Sequence, residues 1–216
     1  MTLILRLVLL IICIASIAFT ISVLLSGALR SAYVFTIERK IALIWPPEYA
    51  FVGDSLTTGC NWRWELGKLS VINLGGGGTE IRDITRQMNQ ALALKANIIL
   101  IEGGINDVIF GSASIERIGR DFEFLLQQLP VGQKAAITLI PFVSSRSLAN
   151  RIEAANSTIR LLVEARQLPI IDLNDKLASG GVRRNEMTSD GVHFTHRACQ
   201  IWADQIRATV DSLRFR

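Results

Sequence analysis

The stretch Tyr49-Ala50-Phe51-Val52-Gly53-Asp54-Ser55-Leu56-Thr57-Thr58-Gly59 decides the fold. Its apolar opening is rich in β-formers, too short for a helix, and stops abruptly at Gly-Asp-Ser. That predicts a buried strand ending in a sharp turn at Gly53. Ser55 then stands at the carboxyl end of a strand, where open α/β sheets place their chemistry. A serine in this place is a candidate nucleophile if a base and an oxyanion hole exist elsewhere in the chain. Without them it is an ordinary helix N-cap.

Outward from this stretch, strand and helix signals alternate. Residues 60–69 predict a short helix and Val71-Ile72-Asn73 a second strand. Residues 79–95 predict a helix capped by Thr79, with Ile81, Ile84 and Met88 at helical spacing. Residues 97–102 (NIILIE) form a near-continuous apolar strand of the kind buried on both faces. Ile115, Ile118, Phe122, Leu125 and Leu129 repeat as an amphipathic helix. A strand over residues 135–140 is stopped by Pro141. Ile152, Ala155, Ile159 and Leu162 mark a further helix, Pro169-Ile170-Ile171-Asp172 the last strand, and Trp202, Ile206, Val210 and Leu213 the last helix. Five strands alternating with helices predict an α/β fold, a three-layer α/β/α sandwich around a parallel sheet.

Three further blocks accompany the Ser55 turn, in order: Asn73-Leu74-Gly75-Gly76-Gly77-Gly78, Gly103-Gly104-Ile105-Asn106-Asp107, and Asp190-Gly191-Val192-His193. With these four blocks the chain from about residue 48 onward resembles the SGNH (GDSL) hydrolases, which are esterases, lipases, thioesterases and carbohydrate deacetylases. The resemblance implies a flavodoxin-like strand order. It also implies a catalytic set of Ser55 as nucleophile, His193 as base and Asp190 as the group that orients it. The implied oxyanion hole is the Ser55 N–H, the Gly78 N–H and the Asn106 side chain. Four consecutive glycines leave the register soft, and Gly77 is the alternative to Gly78.

The chain has two histidines, His193 and His196. An aspartate three residues before a histidine can reach one ring nitrogen and fix the tautomer, leaving the other nitrogen for a hydroxyl. His196 lacks such a partner and is expected to be a polar residue in the first turn of the last helix. Asp54 and Asp107, beside catalytic positions, are expected to bond loop amides. Asp172 and Asp175 are rivals to Asp190 as orienter, but neither is near a histidine in sequence. Trp62 and Trp64 are candidates to line an acyl or sugar site, with packing in the core or at the surface as the ordinary alternative. No metal-ligand spacing appears, and no cofactor or metal is implied.

Half of the 216 residues are apolar, and the excess lies at the N-terminus. From Leu7 to Leu29 there is no charged residue, a run of roughly 35 Å as a helix, enough to cross a bilayer. Residues 1–29 are therefore read as a membrane anchor, with a cleaved signal sequence as the rival reading. Residues 30–47 are read as a juxtamembrane linker ending at Trp45-Pro46-Pro47, and 48–216 as the hydrolase domain. Arg6 before the run and Arg30, Arg39 and Lys40 after it lean toward a cytoplasmic domain. Many members of the family it resembles that carry an N-terminal apolar segment work outside the cytoplasm, and the extracytoplasmic side is the reading taken. The net charge of +4 is scattered, which gives no nucleic-acid footprint. Of three cysteines, Cys13 lies in the apolar run. Cys60 and Cys199 approach one another only if the first and last helices pack side by side; two unpaired thiols are the default expectation.

These readings predict a membrane-anchored serine esterase acting on a small-molecule, glycan or lipid acyl ester, acetyl esters included. The first alternative is an O-acyltransferase that uses the same triad on a glycan acceptor. The second is a non-catalytic binding module on a retained fold.

Overall fold

The computed structural model describes residues 11–17, 19–21, 27–110 and 113–214. The chain divides into two units, Met1–Trp45 and Pro46–Arg216. In the first, helix α1 spans Gly27–Ile44. The linker expected over residues 30–47 is thus helical as far as Ile44. No proline interrupts that segment, and regular structure stops only at Pro46-Pro47. Of the apolar run Leu7 to Leu29, residues 11–17, 19–21 and 27–29 are helical, and the others lie outside the described residues. Among those described, no helix is long and apolar enough to cross a membrane. Helix α1 itself carries Arg30, Glu38, Arg39 and Lys40.

The second unit begins with β1 (Tyr49–Val52), α2 (Ser55–Gly59), α3 (Trp62–Leu66) and β2 (Val71–Asn73). Next come α4 (Ile81–Ala93), β3 (Ile98–Ile101), α5 (Ile105–Ile109), α6 (Ile115–Gln127) and β4 (Lys134–Thr138). The chain ends with α7 (Ala149–Ala165), β5 (Ile170–Ile171), α8 (Asn174–Leu177), the hairpin β6 (Ala178–Ser179) and β7 (Val182–Arg183), and α9 (His196–Arg214). The main sheet is parallel with strand order β2-β1-β3-β4-β5, the flavodoxin-like order. Ala50 pairs with Ile72 on one side and Ile99 on the other. β1 and β3 are buried along their whole length, which is why their sequences are apolar without alternation.

From β1 the chain first moves to one side of the sheet and then returns past it to the other. Right-handed crossovers therefore put α3 on one face and α4, α6 and α7 on the opposite face. α9 packs against α3, while α4, α6 and α7 form a row of neighbours. The turn of direction lies between β1 and β3, and Ser55 follows β1 at this switch point.

The α3–α9 face is built on aromatic rings. Trp62 stacks on Phe51 at 4.0 Å and meets the edge of Trp202 at 4.7 Å. The indole N–H of Trp62 donates to the Thr57 carbonyl and that of Trp202 to Thr138 Oγ1. Trp62 is thus a core residue and does not line an acyl site, whereas Trp64 is exposed. Because α3 and α9 lie side by side, Cys60 and Cys199 come within 5.6 Å (Cα to Cα) and form a disulfide, which corrects the expectation of unpaired thiols. His196, in the first turn of α9, contacts the buried Glu65 carboxylate at 2.8 Å and has no part in the triad.

At the switch point two carboxyl groups are buried together, Asp54 after β1 and Glu102 after β3. Asp54 Oδ1 accepts from the Leu56 N–H at 2.9 Å, and Glu102 Oε2 accepts from Thr57 Oγ1 at 2.8 Å. Their other oxygens, Asp54 Oδ2 and Glu102 Oε1, receive no further donor. A proton held by Glu102 and donated to Asp54 satisfies both. Burial raises both groups, Asp54 to about 6 and Glu102 well above the usual glutamate range, with the Asp54 charge adding to the rise at Glu102.

Two outcomes are expected. Denatured, unreduced protein should show one free thiol, and Cys60→Ser should lower the unfolding free energy by about 2–5 kcal/mol, read as a lower urea midpoint. Three free thiols would remove the bridge. A carboxyl whose folded value is raised stabilises fully below its unfolded value, and that stability is lost as pH rises toward the folded value. Glu102→Gln keeps an acceptor for Thr57 and a donor for Asp54 but removes one such titration. The melting temperature of the variant relative to wild type should therefore rise from about pH 5 to about pH 8. A difference independent of pH would exclude the shared proton.

Candidate active site

The Ser55 turn is fixed by what surrounds Gly53. A Cβ at that position would meet the Thr57 hydroxyl and would stand 2.8 Å from the Glu102 carbonyl, so only glycine fits. The Gly53 N–H donates to Gln87 Oε1 at 2.6 Å. Asp54 caps α2 through the Leu56 amide, the loop-bonding role expected of it. Ser55 is left at the first position of a short helix, half-buried at the end of β1.

His193 is brought to Ser55 by the segment before α9. Its Nε2 lies 2.9 Å from Ser55 Oγ, and its Nδ1 lies 2.6 Å from Asp190 Oδ2. Asp190 Oδ1 also accepts from the amides of His193 and Val192, at 2.8 and 3.0 Å. These bonds, the His193 ring first, hold the Asp190 carboxylate well below the usual aspartate range. The turn is closed from outside by Thr188 Oγ1, which donates to the His193 carbonyl and accepts from the Gly191 N–H. The Ser144 N–H, in the loop after β4, donates to the Gly191 carbonyl. Asp172 is occupied elsewhere, with Arg160 and the Asn174 amide. The sequence spacing of Asp190 and His193 thus corresponds to a closed chain of hydrogen bonds, Asp190–His193–Ser55.

The glycine run lies against the same turn. The Gly75 N–H donates to Asn73 Oδ1 and the Gly76 N–H to the Gly53 carbonyl. Among the described residues the amides of Gly77 and Gly78 have no acceptor, and a Cβ at either would meet nothing within 4 Å. Gly78 has φ of 72°, a conformation that favours glycine. Thr79 does not cap α4; its hydroxyl donates to the Gly53 and Gly76 carbonyls, and Glu80 takes the capping position. The Thr79 carbonyl accepts from Asn106 Nδ2 at 2.8 Å, so the third block reaches the second at Thr79, the residue after Gly78. Asp107 is buried, bonds the Ile81 N–H at the start of α4, and is raised to about 6 mainly by burial.

Two residues the sequence reading passed over belong to this region. Glu102 lies behind the turn, as described. Arg183 is fully buried, donates through Nη1 to the Val192 carbonyl, and lies 4.5 Å from the centre of the Phe194 ring. A carboxyl ending an apolar strand was a visible signal for Glu102. Nothing distinguishes Arg183 in sequence from its exposed neighbour Arg184. Chemically, the arrangement offers a hydroxyl next to an imidazole whose other nitrogen is held by a carboxylate, beside unengaged backbone amides.

A family model for the GDSL-like lipase/acylhydrolase family matches residues 51–201. An N-acylneuraminate cytidylyltransferase of Streptococcus agalactiae serotype V is 28% identical over 166 residues, covering 76% of this chain and 38% of that protein. The chain thus spans well under half the length of the curated relatives it matches. A solved lipase/acylhydrolase from Enterococcus faecalis is 20% identical over 77% of this chain and 96% of its own, with a TM-score of 0.67. An acetyl xylan esterase from Geobacillus stearothermophilus is 16% identical over 76% and 94%, with a TM-score of 0.63. At such identities the likeness to the two structures is one of fold. The family-model match takes in the Ser55, Gly78, Asn106 and Asp190–His193 blocks together, and on it the chain belongs to the GDSL-like lipase/acylhydrolase family of ester-cleaving hydrolases.

Proposed function

We propose that Ser55, His193 and Asp190 are the catalytic triad of an esterase acting on small, accessible acyl esters. The observation that carries this is the hydrogen-bond chain of 2.9 and 2.6 Å joining the three side chains. His193 Nε2 takes the Ser55 proton as Oγ attacks the acyl carbonyl. Asp190 holds Nδ1–H and stabilises the imidazolium that forms. The developing oxyanion is received by the N–H groups of Ser55 and Gly78 and by Asn106 Nδ2, one of whose two hydrogens is already given to Thr79. His193 returns the proton to the leaving alcohol, and a water molecule, activated by the same imidazole, releases the acid. Within the glycine run, Gly78 is preferred because it adjoins Thr79, whose carbonyl Asn106 holds.

The side chains of His193 and Asp190 are 47% and 52% exposed, which supports an ester that arrives from the surface rather than a deeply buried acyl chain. The carbohydrate names of two relatives, one for N-acylneuraminate and one for acetyl xylan, support an acetyl ester carried on a sugar. The apolar run Leu7 to Leu29 is proposed as a membrane anchor, on its length and lack of charge. The Cys60–Cys199 disulfide supports an oxidising, extracytoplasmic side for the domain. Protease added to intact cells should then digest the domain; protection until lysis would place it inside.

Hydrolysis of nitrophenyl esters of increasing chain length tests the mechanism and the substrate class together. Ser55→Ala and His193→Ala should each lower kcat by at least about 1000-fold. Asn106→Ala should lower it by about 100–1000-fold. Activity should peak at acetyl. Full activity in Ser55→Ala would overturn the triad, and a long-chain optimum would overturn the small-ester reading.

A further inference from the structure

The energetics of Arg183 are unusual. It lies in the short hairpin after α8, outside the main sheet, and is 1% exposed. Burial lowers its guanidinium to about 10, which leaves it charged at neutral pH. Nη1 donates to the Val192 carbonyl, while Nε and Nη2 are buried without an acceptor. A buried cation so sparsely bonded stabilises a fold less than an apolar side chain of similar volume would. Its placement is specific nonetheless. Val192, whose carbonyl it binds, immediately precedes His193, and Phe194, whose ring it faces, immediately follows. Its charge also interacts with Glu102, Asp190 and Asp54, the carboxyls gathered around the Ser55 turn.

We infer that Arg183 is a positioning residue for His193, gripping the Val192 carbonyl before it and the Phe194 ring after it so that the imidazole stays within reach of Ser55. This rests on the triad reading above. Arginine suits the task because one planar group donates in its plane and stacks on an aromatic ring with its face, which a lysine cannot do. The hairpin supplies the leverage. The Arg183 N–H donates to the Val143 carbonyl at 3.1 Å, so the guanidinium is anchored to the loop that also holds Gly191 through Ser144. The His193 turn is therefore held from two directions, by Thr188 from its own segment and by the hairpin and the post-β4 loop from the other side.

The test measures kcat and KM separately for Arg183→Lys, Arg183→Met and Phe194→Leu, alongside melting temperature and the rate of Ser55 labelling by a fluorophosphonate. A misplacement of about 1 Å at a catalytic base can cost about 100-fold. Arg183→Met should lose about that in kcat and in labelling rate, with KM changed by less than about twofold. Arg183→Lys and Phe194→Leu should each lose about tenfold. Labelling reports activation of Ser55 with no acyl-site contribution, so a merely structural role would leave it unchanged per folded molecule. Folded Arg183→Lys and Phe194→Leu proteins with wild-type kcat and labelling would overturn the inference. If Arg183→Met does not fold, those two decide it alone. Ser55→Ala serves as the control: wild-type activity there would refute the triad itself, whereas an inactive Ser55→Ala with unaffected Arg183 variants would refute only the positioning role.

Discussion

The hydrogen bond between Ser55 and His193 joins residues 138 apart in the chain, and the domain is arranged to keep its two ends together. A bond of this kind is weak on its own, while closing so long a loop is entropically costly. The fold meets that cost elsewhere. Pairing of β1 with β3 places the Ser55 turn at a switch point in the sheet. Packing of α9 against α3 delivers the segment that carries His193. The disulfide from Cys60 to Cys199 closes almost the same loop, with a separation of 139, and joins the arm that follows Ser55 to the arm that follows His193. The covalent and hydrogen-bonded closures thus run in parallel, and the covalent one restricts the unfolded ensemble before the hydrogen bond forms.

Polar groups are treated differently on the two sides of the Ser55 turn. On the substrate side, His193 and Asp190 are half exposed and fully bonded to each other. Behind the turn, Asp54, Glu102 and Arg183 are withdrawn from water with few partners each. A buried carboxyl is tolerable when it stays protonated, and a buried pair when one proton serves both. Arg183 adds the opposite charge, so the cluster is closer to neutrality than its separate members. This is a costly way to build a core, and it is found where the Ser55 and His193 segments meet.

Much of this was readable in the sequence, and the limits follow from physics. Apolar runs bounded by glycine or proline located all five strands of the main sheet, because strands buried on both faces cannot be anything but apolar. The Asp190 and His193 spacing foretold their hydrogen bond because both groups lie in one local turn. What depended on distant packing was less legible. Pairing of Cys60 with Cys199 requires α3 and α9 to share a face, a property of the crossovers rather than of either cysteine. Trp62 and Trp64 are near neighbours in sequence, yet one is a core ring and the other is exposed, because α3 is only five residues long and shows no readable stripe. Thr79 looked like a cap and instead ties the glycine run to the Ser55 turn, a contact made across the sheet edge. The segment before Pro46 was read as a linker because two prolines end it, yet it is helical as far as Ile44 because nothing before them breaks a helix.

Under the proposed mechanism, the exposure of Ser55, His193 and Asp190 bears on what finishes the reaction. An acyl-enzyme whose imidazole is shielded from solvent can wait for a sugar hydroxyl; one whose imidazole is 47% exposed has water beside it from the moment it forms. Transfer to another acceptor then requires that acceptor to occupy the face of His193 and displace the water, which demands a binding surface larger than the catalytic residues. In that mechanism hydrolysis requires nothing further, because the open imidazole, held by Asp190 and the surrounding turn, stands where it would activate the water that reaches it. In that mechanism the openness that would admit the ester also favours its hydrolysis.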